Sequence, residues 1–151
     1  MPYRVLRGEW HRLLTSIFFH ADLTHLLVNA IVFLSFGRVM EAYYGPEKYI
    51  GLLLTGLLGS GLLTLWRYQR SPQHVSIGLS GVVNAVLFAF ILHNPTAKLL
   101  IFFLLPMPAW LFALLYIAYS VYEGQNERGY VNHWAHIGGA AAGIIFAYFL
   151  K

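Results

Sequence analysis

The stretch HVSIGLSGVVNAVLF, residues 74–88, decides the fold class because it puts a serine between two glycines at the start of an apolar run. Such a run is typical of a helix buried in a membrane, where polar groups are costly. Small residues such as Gly78, Ser80 and Gly81 are common in membrane helices, since they let backbones approach closely. The stretch therefore has two interpretations, a packing motif or a polar site within the membrane.

The composition of the whole chain indicates a membrane protein. Of the 151 residues, 58% are hydrophobic and only 11% are charged, whereas a soluble domain has about 25% charged residues. The apolar residues extend over the full length, which predicts one multi-spanning domain, residues 1–151. The chain has no cysteine, which excludes a disulfide, a thiolate nucleophile and a cysteine metal ligand. Its lysines and arginines lie singly at segment ends, so nucleic acid is not an expected partner.

The apolar segments and the helix breakers between them predict an all-α, polytopic membrane helix bundle with about five spanning helices. Residues 1–21 mix aromatic and charged side chains and are predicted to form an interfacial loop. Pro106 and Pro108 interrupt the fourth apolar region, so the residues before them, up to Leu105, are predicted to form an embedded loop. Counting positive charges leaves the orientation open. The predicted spans are residues 23–44, 46–66, 79–93, 109–122 and 133–150.

The third predicted span is too short to cross a bilayer from surface to surface. Its roughly 15 residues extend about 22 Å, against a hydrocarbon core of about 30 Å. The end that carries Ser80 is therefore expected to begin below the membrane surface. Irregular backbone at that depth is stable only when it is buried in protein or lines a water-filled cavity. The sequence predicts a wet pocket at Ser80.

Strongly polar residues within the predicted spans are the candidates for function, since such residues are costly in lipid. His25 and Asn29 are four residues apart and share one face of the first span. His136 lies one turn into the last span. None of these residues belongs to a predicted loop, and with Ser80 they form the candidate site.

Small residues predict how two of these helices pack. Gly139 and Gly143 share a face with His136, and Gly81 and Ala85 directly follow Ser80. Two stripes of small residues can pack with their backbones nearly in contact. This packing is expected to bring His136 within hydrogen-bonding distance of the serine hydroxyl.

The chemistry suggested by these residues is acyl transfer. A serine hydroxyl becomes a good nucleophile when an adjacent base takes its proton, and histidine is the usual base. Acyl transfer also needs donors for the developing oxyanion, and the start of the Ser80 helix has unpaired backbone N–H groups. The side chains of His25 and Asn29 are candidate additional donors. Asp22 is the only aspartate of the chain, so a Ser-His dyad fits better than a Ser-His-Asp triad.

Five short motifs, in order along almost the whole chain, resemble the signatures of the rhomboid intramembrane serine proteases. Each motif alone is weak, but together and on the predicted elements they are specific. The matched residues are Trp10-His11-Arg12 for Trp-x-Arg, His25 to Asn29 for His-x-x-x-Asn, Gly37 to Glu41 for Gly-x-x-x-Glu, Gly78 to Gly81 for Gly-x-Ser-Gly, and Ala135 to Gly143 for Ala-His-x-Gly-Gly-x-x-x-Gly.

The resemblance implies a role for each matched residue. Ser80 would be the nucleophile and His136 the general base. His25, Asn29 and the Ser80 backbone N–H would form the oxyanion hole, with the Gly78 backbone N–H as a further candidate. The supporting residues would be Trp10, Arg12, Gly81, Asn84, Gly139 and Gly143. The implied protein is an integral, multi-pass protein of the cell or inner membrane type that cuts single-span membrane proteins, without cofactor or metal, in segments with small residues and weak helicity.

Two departures from the family pattern leave alternatives open. The family core has six spanning helices, and the one before the Trp-x-Arg loop is absent, which is consistent with truncation, a misassigned start or a natural five-helix form. The exposed face that would remain makes a homo-oligomer a further expectation. Four residues after the serine, where the family has an aromatic that stacks on the histidine, this chain has Asn84. Asn84 is expected to orient His136 by a hydrogen bond.

Two other functions compete with an active protease. An inactive rhomboid-like pseudoprotease would bind transmembrane helices without cutting them. A metal or haem site would use His133 and His136 with His25, but the chain has no His-Glu-x-x-His motif and few carboxylates in its predicted spans. His20 is expected to support the first loop.

Overall fold

The computed structural model of the chain describes residues 2–101, 104–126 and 131–150, and most of these residues are helical. The helical architecture agrees with the expected fold class. A 3-10 turn, Ser16–Phe18, follows the second helix. The helices are α1 (Pro2–Val5), α2 (His11–Thr15), α3 (Leu23–Tyr68), α4 (Ser80–His93), α5 (Ala109–Asn126) and α6 (His133–Phe149).

Helix α3 contains the first two predicted spans, joined at a sharp break. Its N-cap is Asp22, whose Oδ1 accepts a hydrogen bond of 2.7 Å from the His25 backbone N–H. Gly45 interrupts the helix with φ +76°, in the left-handed region that favours glycine, and Pro46 opens the second half. Among the described helices, α3 alone is long and apolar enough to cross a membrane, and α4 is a shorter apolar helix. The number of spans stays a prediction.

Helix α4 occupies the centre of the fold and packs against both α3 and α6. It has 14 residues and begins at Ser80, one residue after the predicted start. Its side chains are apolar almost all round, which is typical of a helix enclosed by other helices. Val86 and Ala89 of α4 lie in a core cluster with Met40 and Leu52 of α3 and Ala147 of α6. The serine therefore lies at the end of the most enclosed element.

A short antiparallel hairpin takes the place of the predicted embedded loop and adds two strands to an otherwise helical fold. Strand β1 (Lys98–Ile101) pairs with β2 (Leu105–Pro108), and the backbone N–H of Ala109 donates to the Ala97 carbonyl over 2.8 Å. Both strands are edge strands, where proline is tolerated because its missing N–H need not join a ladder. Strands are not predicted here from the sequence, since the segment has an uninterrupted apolar run before its prolines.

The outer faces of the helices carry many exposed apolar side chains. Leu58 and Leu62 of α3 are 58% and 64% exposed, and Ile145 and Phe149 of α6 are 56% and 77% exposed. Continuous apolar surface of this kind is rare on soluble monomers and marks a surface for lipid or protein. The faces fit a lipid environment, in agreement with the composition.

Candidate active site

The structure brings Ser80 and His136 together, as the two stripes of small residues predict. Ser80 is the first residue of α4, and His136 lies in the first turn of α6. Their side chains form a hydrogen bond of 2.8 Å between Ser80 Oγ and His136 Nε2. This is the geometry required of a nucleophile and its base.

Close contact between the backbones of α4 and α6 makes this pairing possible. A Cβ added to Gly139 would overlap the carbonyl oxygen of Gly81, and one added to Gly143 would overlap the carbonyl of Ala85. A Cβ on Gly81 would in turn collide with the side chain of Ser60 in α3. Any larger residue would hold the helices further apart, so these glycines set the distance between the serine and the histidine.

The turn before Ser80 is shaped by Gly78, whose φ is +108°. Its backbone N–H donates to the Ser16 carbonyl over 3.0 Å, and a Cβ at this position would lie 2.9 Å from Cε1 of His25. The Gly78 N–H, considered as an oxyanion donor, is therefore already bonded to the first loop in this structure. Glycine is needed here because of both the left-handed backbone and the nearby imidazole ring.

The two candidate oxyanion donors lie on the first turns of α3. Asn29 is only 6% exposed, and its Nδ2 has no hydrogen-bond partner among the described residues. Since buried polar groups are normally paired, this amide is a donor without an acceptor. His25 packs against Gly78, two residues before the serine, and meets the ring of His20 edge-on. His20 thus supports the ring of His25 at the edge of the site.

A buried asparagine that the sequence analysis did not single out holds the start of α6. Asn132 is the N-cap of α6, and its Oδ1 accepts from the Ala135 backbone N–H over 3.0 Å. Its Nδ2 donates to Thr64 Oγ1 at 3.0 Å and to Ser76 Oγ at 2.8 Å. One side chain therefore links α6 to the second half of α3 and to the loop before α4. Its position one residue before the predicted last helix, where asparagine is a favoured N-cap, is the feature of the sequence that could have identified it.

A small polar cavity adjoins Ser80. Its volume is about 60 Å³, which is enough for water. The cavity lies where the sequence predicts a wet pocket, and its hydration stays a prediction. The polar residues that line it include Arg12, Ser16, Ser60, Thr64, Ser76, Ser80 and Asn132.

The two supporting residues of the first loop differ in their environment. Arg12 bonds to Glu9, with Nε 2.6 Å and Nη2 2.5 Å from Oε2. This hydrogen bond lowers the pKa of the Glu9 carboxyl. Trp10 is 59% exposed, and it lies on the outer surface of the loop. Arg12 therefore helps to order the loop that covers the cavity.

The second ring nitrogen of His136 has a partner that the sequence analysis missed. The Tyr116 hydroxyl of α5 lies 3.0 Å from His136 Nδ1, and the two rings are nearly parallel, with centroids 6.2 Å apart. Asn84 does not take this position, contrary to expectation, because its Nδ2 donates to the Ser80 carbonyl over 2.8 Å. Tyr116 and Ser120 share a face of an apolar helix, and this polar pair is the feature of the sequence that could have identified Tyr116.

The histidines do not assemble a metal site. The rings of His133 and His136 are edge-to-face with centroids 5.6 Å apart. In the described part of the chain, no three His, Asp or Glu side chains come close enough to hold a metal ion.

Comparison with known proteins decides the family. A family model described as the rhomboid domain matches residues 7–151. The chain belongs to the rhomboid family. Rhomboid proteins are membrane proteins, which agrees with the composition and with the apolar outer faces.

Several curated rhomboid proteins are similar to this chain. RHOMBOID-like protein 12, mitochondrial, of Arabidopsis thaliana is 30% identical over 91% of this chain and 46% of its own length. Rhomboid protein 1, mitochondrial, of Saccharomyces cerevisiae is 27% identical over 90% of this chain and 40% of its own. Rhomboid protease AarA of Providencia stuartii is 28% identical over 94% and 56%. The chain thus spans about half the length of these relatives. No solved structure matches it.

The arrangement around His136 differs from the rhomboid pattern that the motifs suggest. The aromatic ring beside the histidine comes from α5, through Tyr116, and not from the position four residues after the serine. Asn84 at that position is buried beneath the serine and bonds to its carbonyl. In this rhomboid protein the aromatic ring beside His136 therefore comes from α5, whereas the asparagine comes from α4.

Proposed function

We propose that this chain is a serine endopeptidase that cleaves transmembrane segments of membrane proteins with a Ser80–His136 dyad. The observation that carries the proposal is the 2.8 Å hydrogen bond between the serine hydroxyl and the imidazole. It lies at the start of a 14-residue helix, whose length of about 21 Å is less than the bilayer core. Such a helix leaves the serine below the membrane surface.

The acylation step uses the two side chains in fixed roles. The Ser80 oxygen attacks the carbonyl carbon of the scissile peptide while its proton moves to Nε2 of His136. The protonated His136 then gives that proton to the departing amine, which leaves an ester on Ser80. A water molecule attacks the ester in the second half, and the same imidazole takes and returns its proton. The cavity beside the serine supports access of this water.

Stabilisation of the oxyanion is assigned to the start of α4 and to the first turns of α3. The Ser80 N–H at the start of α4 has no helical acceptor, and the helix dipole favours negative charge there. The unpaired Nδ2 of buried Asn29 is a donor that a tetrahedral intermediate would satisfy. His25 beside Gly78 is the third candidate donor.

The expected substrates are single-span membrane proteins. A peptide bond inside a regular helix keeps its carbonyl in an intrahelical hydrogen bond, so it must unwind before a nucleophile can reach it. Segments with glycine or other weak helix formers lose less free energy on unwinding. Cleavage is therefore expected within or near transmembrane segments that contain small residues and have weak helicity.

The test is reaction of the purified chain with a serine-directed fluorophosphonate, together with cleavage of a single-span test substrate in proteoliposomes. Labelling and cleavage should both disappear in Ser80→Ala and persist in Ser35→Ala, a matched change at an exposed serine of α3. His136→Ala should also abolish cleavage. The double variant should be little worse than either single variant, because the two residues act as a unit.

The alternative, a pseudoprotease that binds transmembrane helices, predicts a different result. The folded wild-type chain would then retain the test substrate in pull-down experiments but would neither react with the fluorophosphonate nor cleave. Full activity in Ser80→Ala or His136→Ala would reject the dyad.

A further inference from the structure

Both ring nitrogens of His136 form hydrogen bonds, and the two bonds require different protonation of the two nitrogens. Nε2 faces the Ser80 hydroxyl at 2.8 Å, and Nδ1 faces the Tyr116 hydroxyl at 3.0 Å. A base that takes the serine proton must carry no proton on Nε2. The neutral imidazole then carries its proton on Nδ1 and donates it to the tyrosine oxygen. The second bond favours the tautomer that catalysis needs when the tyrosine oxygen is its acceptor.

Tyr116 favours this tautomer only if its own hydroxyl proton points elsewhere. Two polar side chains lie next to that hydroxyl, Asn84 of α4 and Ser120 of α5. Asn84 Oδ1 and Ser120 Oγ are both buried and have no hydrogen-bond partner of good geometry among the described residues. Buried acceptors of this kind attract a nearby donor, so the tyrosine proton has acceptors other than the imidazole nitrogen.

The orientation of the Asn84 amide is fixed by the backbone of the nucleophile. Its Nδ2 donates to the Ser80 carbonyl over 2.8 Å, and a carbonyl can only accept. The other amide atom, Oδ1, is thereby presented as an acceptor and cannot compete as a donor for the tyrosine oxygen. The ring of contacts runs from the Ser80 hydroxyl to His136, to Tyr116, to Asn84 and back to the Ser80 carbonyl.

We infer that Tyr116 is a positioning residue of the Ser80–His136 pair, whose hydroxyl holds the imidazole in the Nδ1–H tautomer while Asn84 directs that hydroxyl. The inference rests on the proposed protease function for its catalytic consequence. The aromatic ring has a second effect, because its near-parallel contact with the imidazole limits rotation of the ring. The Tyr116 hydroxyl contacts Nδ1 of His136 and not the reacting pair, Nε2 and the Ser80 oxygen.

The decisive variant is Tyr116→Phe, which keeps the ring and removes only the hydroxyl. A neutral hydrogen bond contributes modestly, so kcat for the test substrate should fall about 3- to 10-fold, with KM unchanged. The matched control is Tyr122→Phe on the same helix, whose side chain is 58% exposed and whose kcat should equal that of the wild type. The kcat of Tyr116→Leu, which also removes the ring, should fall further.

A readout independent of activity is the ¹⁵N NMR spectrum of histidine-labelled protein, with the His136 signals identified by their loss in His136→Ala. The wild type should show a protonated Nδ1 and an unprotonated Nε2. Tyr116→Phe should shift this balance towards a mixture of the two tautomers. Asn84→Leu should shift the tautomer balance in the same direction, since the tyrosine proton can then turn to the imidazole. In the double variant with Tyr116→Phe, Asn84→Leu should cause no further shift.

The outcomes separate the two proposals. An active wild type with an unchanged kcat and His136 spectrum in Tyr116→Phe overturns the inference and leaves the protease function intact. A loss of thermal stability or a change in KM alone also overturns it, because that result describes a structural role. If the wild type neither reacts with the fluorophosphonate nor cleaves, the protease function is rejected, while the NMR spectra still decide whether Tyr116 fixes the tautomer.

Discussion

Replacing Gly139 by alanine tests whether the contact between α4 and α6 sets the geometry of the dyad. The new Cβ would lie 2.7 Å from the carbonyl carbon of Gly81 and closer still to its oxygen. Ordinary van der Waals contact begins near 3.4 Å, and the carbonyl oxygen is the tighter contact, so the helices must separate locally by well over about 0.7 Å. Gly139 is less than one turn from His136, and the separation is therefore transmitted to the imidazole.

The expected loss follows from this displacement. The Ser80–His136 bond of 2.8 Å would lengthen beyond about 3.5 Å, past the limit of hydrogen bonding. A misplacement of about 1 Å can cost about 10² in rate, so cleavage should fall by about 100-fold or more. Overpacking should also cost about 1–3 kcal/mol of stability, which would lower the thermal midpoint by several degrees.

The assay is initial cleavage rate in proteoliposomes, measured with the thermal midpoint in detergent. The control is Gly51→Ala, where the new Cβ meets only the edge of the Phe146 ring at 3.3 Å, which a side chain can accommodate. Gly51→Ala should retain its activity. Wild-type rates in Gly139→Ala would refute the reasoning that close backbone contact positions the histidine.

Three further predictions test separate parts of the site. Asn29→Ala should slow cleavage by about 10²–10³, as loss of one oxyanion donor does, and a wild-type rate would remove Asn29 from the oxyanion hole. Asn132→Ala removes the α6 cap and two side-chain bonds, so the free energy of unfolding should fall by about 1–3 kcal/mol. Asn132→Asp, which keeps the cap acceptor, should recover part of that loss. Equal thermal midpoints in the wild type and both variants would contradict this prediction. The bond from Arg12 lowers the pKa of Glu9 below its ordinary value of 4.5, so this contact stabilises the chain above that pH and is lost as the pH falls through the lowered pKa. The difference in thermal midpoint between wild type and Glu9→Gln should therefore be present at pH 7 and close in acid, and a difference independent of pH would contradict this.

Local signals account for the parts of the fold that the sequence predicts well. Gly45 and Pro46 mark the break in α3, since one adopts a left-handed backbone and the other cannot continue a helix. The start of α4 agrees with the prediction within one residue because an apolar run follows a polar, glycine-containing loop. The hairpin was missed for the same reason, because residues 98–108 have the composition of a membrane segment and their strand pairing depends on contacts across the turn.

The sequence by itself determined the membrane character of the chain, its rhomboid motifs and the four polar residues of the candidate site. Composition, helical periodicity and small-residue stripes are local properties, and they suffice to bring Ser80 and His136 onto facing helices. Only the tertiary structure decided the environment of that pair. Whether Asn84 or Tyr116 reaches Nδ1 depends on how α5 is rotated against α4 and α6, and no spacing within one helix specifies that rotation. The occupied N–H of Gly78 likewise depends on a carbonyl from the first loop, more than sixty residues earlier in the chain.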